Sequence, residues 1–378
     1  YDKSSDTLFV SDLKLSGLYE NAYPNAAAPS TVTVMGAKLT VLPSAQADLA
    51  AFKVGDKVTL LLTTTGQVAG AVSPDVAKSN AVGVAEVKGT MATIKLLDGI
   101  LTLEGKTTYS EAAAAKLNGC LVTVSSYKRD YLTLSKVNGK GASTALNLTT
   151  NRMGTKELSA GARFFEQVSN GRLVEIDRSD ITITSIPANK ITYVGYDWAG
   201  RVDKLVLNDV TGDRYDYGII HYQPAGYQET PGNPNGNGEY KNGEISVTNG
   251  SFPKGMTPYV VGSVDGAKTN RMGGVAGSLD QLDGQNRMAA FMPLNEAKGI
   301  RRAQFDTDAM LLTTNSMVIP ISDAVECYNK TTGDWFKPGE DGDHKATLNL
   351  ALAFSDDITV YYDRSPEEGG KVRIVVVE

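Results

Sequence analysis

Val58-Thr59…Gly66-Gln67-Val68, Val122-Thr123…Asp130-Tyr131-Leu132, Ile191-Thr192…Gly200-Arg201-Val202 and Ile358-Thr359…Gly370-Lys371-Val372 are four renderings of one design. A β-branched residue followed by Thr opens a strand, Gly or Asp closes the turn, and a long polar residue followed by an apolar one opens the return. That is the pattern of a β-hairpin. One small β unit cannot bury its apolar face alone, so the recurrence predicts several such units in tandem.

Each of these hairpins has an earlier partner of similar turn chemistry: Met35-Gly36-Ala37-Lys38-Leu39, Leu97-Asp98-Gly99-Ile100, Val168-Ser169-Asn170-Gly171 and Thr314-Asn315-Ser316-Met317. Asp-Gly and Asn-Gly tolerate the positive φ of tight hairpin turns. Between the two hairpins of the first two units lie Ala-rich stretches, 44–52 and 110–117, with a polar residue placed to cap a short helix. The expected class is mainly β: tandem small barrel or sandwich units built from hairpins, with short helices in the first two units plugging one end. Residues 1–30 read as an N-terminal strand and linker. Repeat units follow at 31–73, 83–139, 141–208 and 305–378, and 209–304 reads as a divergent unit or an insertion.

A chain of 378 residues with 41% hydrophobic content can bury a substantial core. Its formal charge of -6 and its lack of a basic stripe with interleaved aromatics argue against nucleic acid as a partner. No apolar run approaches the roughly 18 residues of a membrane-spanning helix, so no span is expected. The first residue is Tyr1, which fits removal of a leader or an upstream domain and is compatible with secretion. Cys120 and Cys327 fall in different units without metal-ligand spacing and read as free thiols packed as small hydrophobes.

Candidate sites are few. Asn233, Asn235, Asn237 and Glu244 have the spacing of a calcium loop, in which oxygen ligands recur at alternate positions and a Glu closes the set. The first position is Asn where Asp is usual, and Pro234 follows it, so the stretch reads first as a Pro-, Gly- and Asn-rich insertion. Calcium is the only cofactor the sequence suggests. Glu340, Asp341 and Asp343 form a second acidic loop, and Asp209, Asp213 and Asp216 a weaker third. Trp198 and Trp335 are candidate ligand-binding residues, since indole rings stack on sugars, although each sits at a hairpin turn where packing across a β pair is the commoner use. Only His221 and His344 could serve a His-dependent nucleophile, and neither lies in a catalytic motif. No enzyme is expected. Asn147, Asn249 and Asn329 head N-x-Ser/Thr triplets, a pattern frequent by chance.

Ile358-Thr359-Val360-Tyr361-Tyr362-Asp363 with Gly370-Lys371-Val372-Arg373, and Phe52-Lys53-Val54-Gly55-Asp56-Lys57-Val58-Thr59-Leu60, resemble the β-repeat regions of large surface proteins of Gram-positive gut clostridia, proteins that commonly also carry S-layer homology domains. The resemblance covers most of residues 31–378, and the S-layer homology domains themselves are not visible. It implies an exported, cell-wall-associated protein whose repeats act as spacer, scaffold or display surface. Cell-envelope components or surface glycans are then the expected partners. A carbohydrate or cell-wall polymer binding module and a set of calcium-rigidified adhesin repeats are the alternatives.

Overall fold

The structure is a computed structural model that describes residues 6, 10–77, 81–137, 141–167, 173–229, 238–241, 243–255, 259–261, 271–279, 286–339 and 342–378. It is mainly β, with small barrels and half-barrels and few short helices. Among the described residues no helix is long and apolar enough to cross a membrane.

The second unit shows the architecture most completely. Val82–Lys88, Met91–Leu96 and Thr102–Thr107 form an antiparallel meander, and Leu121–Ser125 and Tyr131–Lys136 form the closing hairpin. The fifth strand pairs parallel with the third, and the fourth pairs antiparallel with the first, which closes the barrel in the order 1-2-3-5-4. Burial alternates along the first three strands, so one face of each fills the interior and the other meets solvent. The helix Glu111–Ala115 bridges the third and fourth strands. This is the connection order of a Greek-key barrel of the OB type, a closed design that leaves no strand edge unpaired.

The same order recurs. In the first unit Lys14–Leu18 pairs with Lys57–Leu62, and that strand pairs with Val68–Val72. Asn21–Tyr23 pairs with Thr31–Val34, which pairs with Ala37–Thr40. A parallel bridge from Val41 to Val68 joins the two sheets. The unit therefore begins at its first strand near Lys14, before the boundary expected at residue 31. Leu13, Leu15 and Tyr19 alternate into its core. The 209–304 region contains a closed barrel of Asp216–Gln223, Gly243–Thr248, Tyr259–Val261, Arg271–Leu279 and Asn286–Pro293, again ordered 1-2-3-5-4. A short hairpin, Gly226–Glu229 with Gly238–Lys241, is inserted between its first two strands.

The third and last units are open versions of this plan. Each has a 12-residue third strand, Lys156–Gln167 or Val318–Asn329, that shifts register near its middle and runs parallel to the fifth strand, Val202–Asn208 or Val372–Val377. In the third unit the 3-10 turns Arg178–Asp180 and Ala188–Lys190 replace the helix. The last sheet starts at Asn295–Ile300, ten residues ahead of the expected boundary at 305. It also contains the longest helix of the structure, His344–Phe354, where none was expected. Asp343 caps this helix by accepting the Ala346 N–H at 2.9 Å, and Thr347, Leu348, Ala351 and Leu352 bury one stripe of it.

All four closing hairpins form as antiparallel pairs. The last has a tight approach that the sequence alone does not reveal, since a Cβ at Gly370 would lie 1.9 Å from the Arg364 carbonyl oxygen. Gly370→Ala is expected to lower stability by about 1–3 kcal/mol, as overpacking against backbone does. Gly161→Ala, in a strand where a Cβ meets nothing within 4 Å, is the matched control and is expected to stay within about 0.5 kcal/mol. Urea-unfolding midpoints of the two variants check the contrast.

Candidate functional site

Residues 209–217 leave the third unit and enter the fourth, and they run against the 363–373 loop and strand of the last unit. Glu166, fully buried, accepts the Thr211 N–H at 2.7 Å together with the Val210 N–H and the Thr211 hydroxyl. Arg364 donates to Asp209 at 2.6 Å and to the Val210 carbonyl at 2.8 Å. Lys371 and Arg373 both reach Asp213, at 3.0 and 2.6 Å.

Arg373 is 1% exposed, and each of its guanidinium nitrogens has an acceptor. Its Nε donates to Asp363 at 2.8 Å, its Nη1 to Asp213 at 2.6 Å and Ser322 at 3.0 Å, and its Nη2 to the Thr211 carbonyl, with Asp363 also 2.8 Å from Nη2. The Tyr217 ring lies 4.9 Å from the guanidinium, and its hydroxyl donates to the Gly212 carbonyl at 2.8 Å. Gly212 has φ +75°, and a Cβ there would come within 2.4 Å of Asp363 Oδ2. Only glycine fits that turn. Burial pulls the Arg373 pKa down, but Tyr217, Asp363 and Asp213 outweigh it and raise it further. Burial pushes Tyr217 well above the phenolic range.

The acidic set Asp209, Asp213 and Asp216 is therefore committed mainly to cations of the chain itself. Among the described residues no group of three or more His, Cys, Asp or Glu side chains is placed to hold a metal ion. Asn233, Asn235 and Asn237 lie outside the described residues, as do Glu340 and Asp341. Glu244 sits half-buried on the second strand of the fourth unit, opposite Gln223. Trp198 is 60% exposed on the hairpin turn of the third unit. Trp335 belongs to a different setting: its ring centroid is 4.9 Å from that of Tyr328, within the cluster that joins the fourth and last units. The structure does not bring the two indoles together.

His221 Nε2 is 2.9 Å from the Thr248 hydroxyl, and His344 Nδ1 is 3.0 Å from the Val325 carbonyl. Both cysteines are free, with Cys327 buried and Cys120 half-buried. Asn249 and Asn329 are buried and engaged in turn hydrogen bonds, so neither is presented as a glycan acceptor.

Three of the concave sites among the described residues bear on the candidate residues. A cleft of about 900 Å³ between the fourth and last units has Met272, Leu294, Tyr328 and Tyr361 on its walls. Ion pairs stand on its rim, Lys298–Glu296 at 3.1 Å and Lys330–Glu378, and Tyr361 donates to Glu296 at 2.6 Å. A smaller polar cavity of about 230 Å³ is lined by Glu326, His344, Asp216 and Arg373. There burial raises the Glu326 pKa despite hydrogen bonds from the Gly250 N–H and the Ser251 hydroxyl and the field of His344. The third is a groove of about 710 Å³ on the third unit. Comparison of the chain with protein-family models, with curated proteins and with solved structures found no match.

Arg373→Met strands the Asp363 carboxylate, whose side chain is 0% exposed, and is expected to cost about 3–5 kcal/mol in urea unfolding. Adding Asp363→Asn removes the orphaned charge, and the double variant is expected to recover part of that loss. Glu326 gives a pH signature. Its folded pKa lies above the ordinary 4.5, so above that pH the folded chain keeps a proton that the unfolded chain has lost. Its stabilising contribution is complete below 4.5 and declines as pH rises towards the folded pKa. The wild-type melting temperature is expected to fall more steeply through that window than that of Glu326→Gln, which thermal melts across about pH 4 to 7 will read.

Proposed function

We propose that this chain is a non-enzymatic structural module of a bacterial cell-surface, S-layer-associated protein, serving as a rigid spacer, scaffold or display surface. The observation that supports it best is the joint at 209–217. A chain of independent domains carries exposed, polar linkers that cross few contacts. Here the linker is buried under charges from the third and last units, with Glu166 on one side and Arg364, Lys371 and Arg373 on the other. A segment built to hold its neighbours at fixed angles suits load-bearing or display better than it suits turnover, which draws on mobile loops. The resemblance to clostridial surface repeats supplies the envelope setting.

Two measurements test this. Antibodies raised against the purified chain are expected to label intact, unpermeabilised cells of the source bacterium, and labelling only after lysis would remove the surface assignment. Native-state hydrogen exchange is expected to show Val202–Asn208 and Val372–Val377 opening with one common free energy. Independent opening of the two strands would remove the rigid-scaffold reading.

A further inference from the structure

The closing hairpin of the third unit carries three aromatic residues within six positions, Tyr193, Tyr196 and Trp198. Tyr196 is 43% exposed and Trp198 60%. Tyr193 and Tyr196 line the groove of about 710 Å³, together with Ser143, Thr144, Thr155 and Lys156. The Lys156 ammonium lies 4.5 Å from the centre of the Tyr196 ring and 3.4 Å from the Gly200 carbonyl, so it ties that ring to the turn that presents Trp198.

The turn itself is firmly built. Asp197 accepts the N–H groups of Ala199 and Arg201, both at 2.9 Å, and the Arg201 Nε–H at 2.8 Å. The backbone that carries the exposed indole is thus already ordered, so binding there does not have to order the loop. The surrounding chemistry is specific: aromatic faces, hydroxyl groups that both donate and accept, and, among the described lining residues, one cation and no carboxylate. Pyranose rings offer an apolar C–H face to an aromatic ring and hydroxyls to such a wall. The 4–5 loop, where Trp198 sits, is also a position from which barrels of this connection order bind oligosaccharides. A single-stranded nucleic acid would require a basic track beside the rings, and among the described residues this groove has one lysine, in a chain of net charge -6.

We propose that this groove binds a polysaccharide strand whose pyranose rings stack on Tyr196 and Trp198 and whose acidic substituents, where present, meet Lys156. This goes beyond the scaffold reading and does not depend on it. The test is affinity electrophoresis and titration calorimetry of the full chain with chitin, cellulose and hyaluronan hexamers. At least one hexamer is expected to bind. Trp198→Ala and Tyr196→Ala are each expected to weaken it about tenfold, because a lost stacking contact is worth about one decade. Both side chains are exposed, and an unchanged urea midpoint confirms that each variant is folded. Lys156→Met is expected to weaken hyaluronan more than the neutral hexamers, and equal weakening would overturn its assignment to an acidic substituent. Silence from all three hexamers, or binding indifferent to both aromatic substitutions, overturns the proposal.

Discussion

The buried guanidinium of Arg373 is the constraint on which the C-terminal half of the molecule turns. Removing such a charge from water costs several kcal/mol, and the attraction of its partners repays that only when the geometry is complete. Its acceptors come from separate places: Asp363 and Ser322 from the last unit, and Asp213 and the Thr211 carbonyl from the linker into the fourth. Glu166 of the third unit fixes the same linker from the far side. The last unit and the linker complete the guanidinium's acceptors, and the third unit holds that linker through Glu166. As net stabilisation an ion cluster of this kind is weak, because apolar packing could replace it, but a misplaced unit would strand a buried charge. The cluster therefore acts on arrangement more than on total stability.

The N-terminal joints reach the same end by different means. The first two units share one apolar cluster running from Leu13 to Leu134, and the backbone crosses between them where the Glu104 N–H donates to the Met35 carbonyl. Between the second and third units a smaller cluster of Leu97, Leu121, Phe165, Leu173 and Val206 is covered by Arg163, which pairs with Glu175 and donates to the Leu97 carbonyl. Apolar joints tolerate small misalignments because dispersion and burial are non-directional, whereas the Arg373 joint tolerates few.

How far the sequence could be read follows from this distinction. The closing hairpins were legible because their turns are local and demand Gly or Asp at positive φ, as at Gly66, Asp130 and Gly200. The fourth unit was hard to read because Arg271–Leu279 and Asn286–Pro293 are rich in Gly, Ala and Met and poor in β-branched residues, so their strand pairing leaves little local pattern. The first strand, Lys14–Leu18, falls within the residues that read as an N-terminal strand and linker, because its partner Lys57–Leu62 lies some forty residues away. The helix His344–Phe354 was missed because its capping Asp343 was read with its acidic neighbours. The aspartates of 209–216 suggested a cation site for a related reason. Their partners Lys371 and Arg373 lie 158 and 160 residues downstream of Asp213, beyond any reading of local pattern.

The 4–5 loop shows how one architecture divides its duties. In the first unit this turn packs onto the second unit, where a Cβ at Gly66 would press on Ile100 and Leu101. In the last unit the same connection carries Asp363, Arg364 and Lys371 into the ion cluster. In the second unit the loop reaches back to the first, with Ser126 accepting the Leu18 N–H at 2.9 Å and Arg129 donating to the Glu20 carbonyl at 3.0 Å, yet it and the loop of the third unit also present aromatic rings. There Tyr127 and Trp198 stand 52% and 60% exposed, and a lysine lies over a neighbouring ring in both, Lys128 on Tyr131 and Lys156 on Tyr196. Loops on a fixed frame can vary without disturbing the core beneath them. The loops of the first, second and last units take part in holding the frame together, which leaves the loop of the third unit to present its indole from a position the frame has already set.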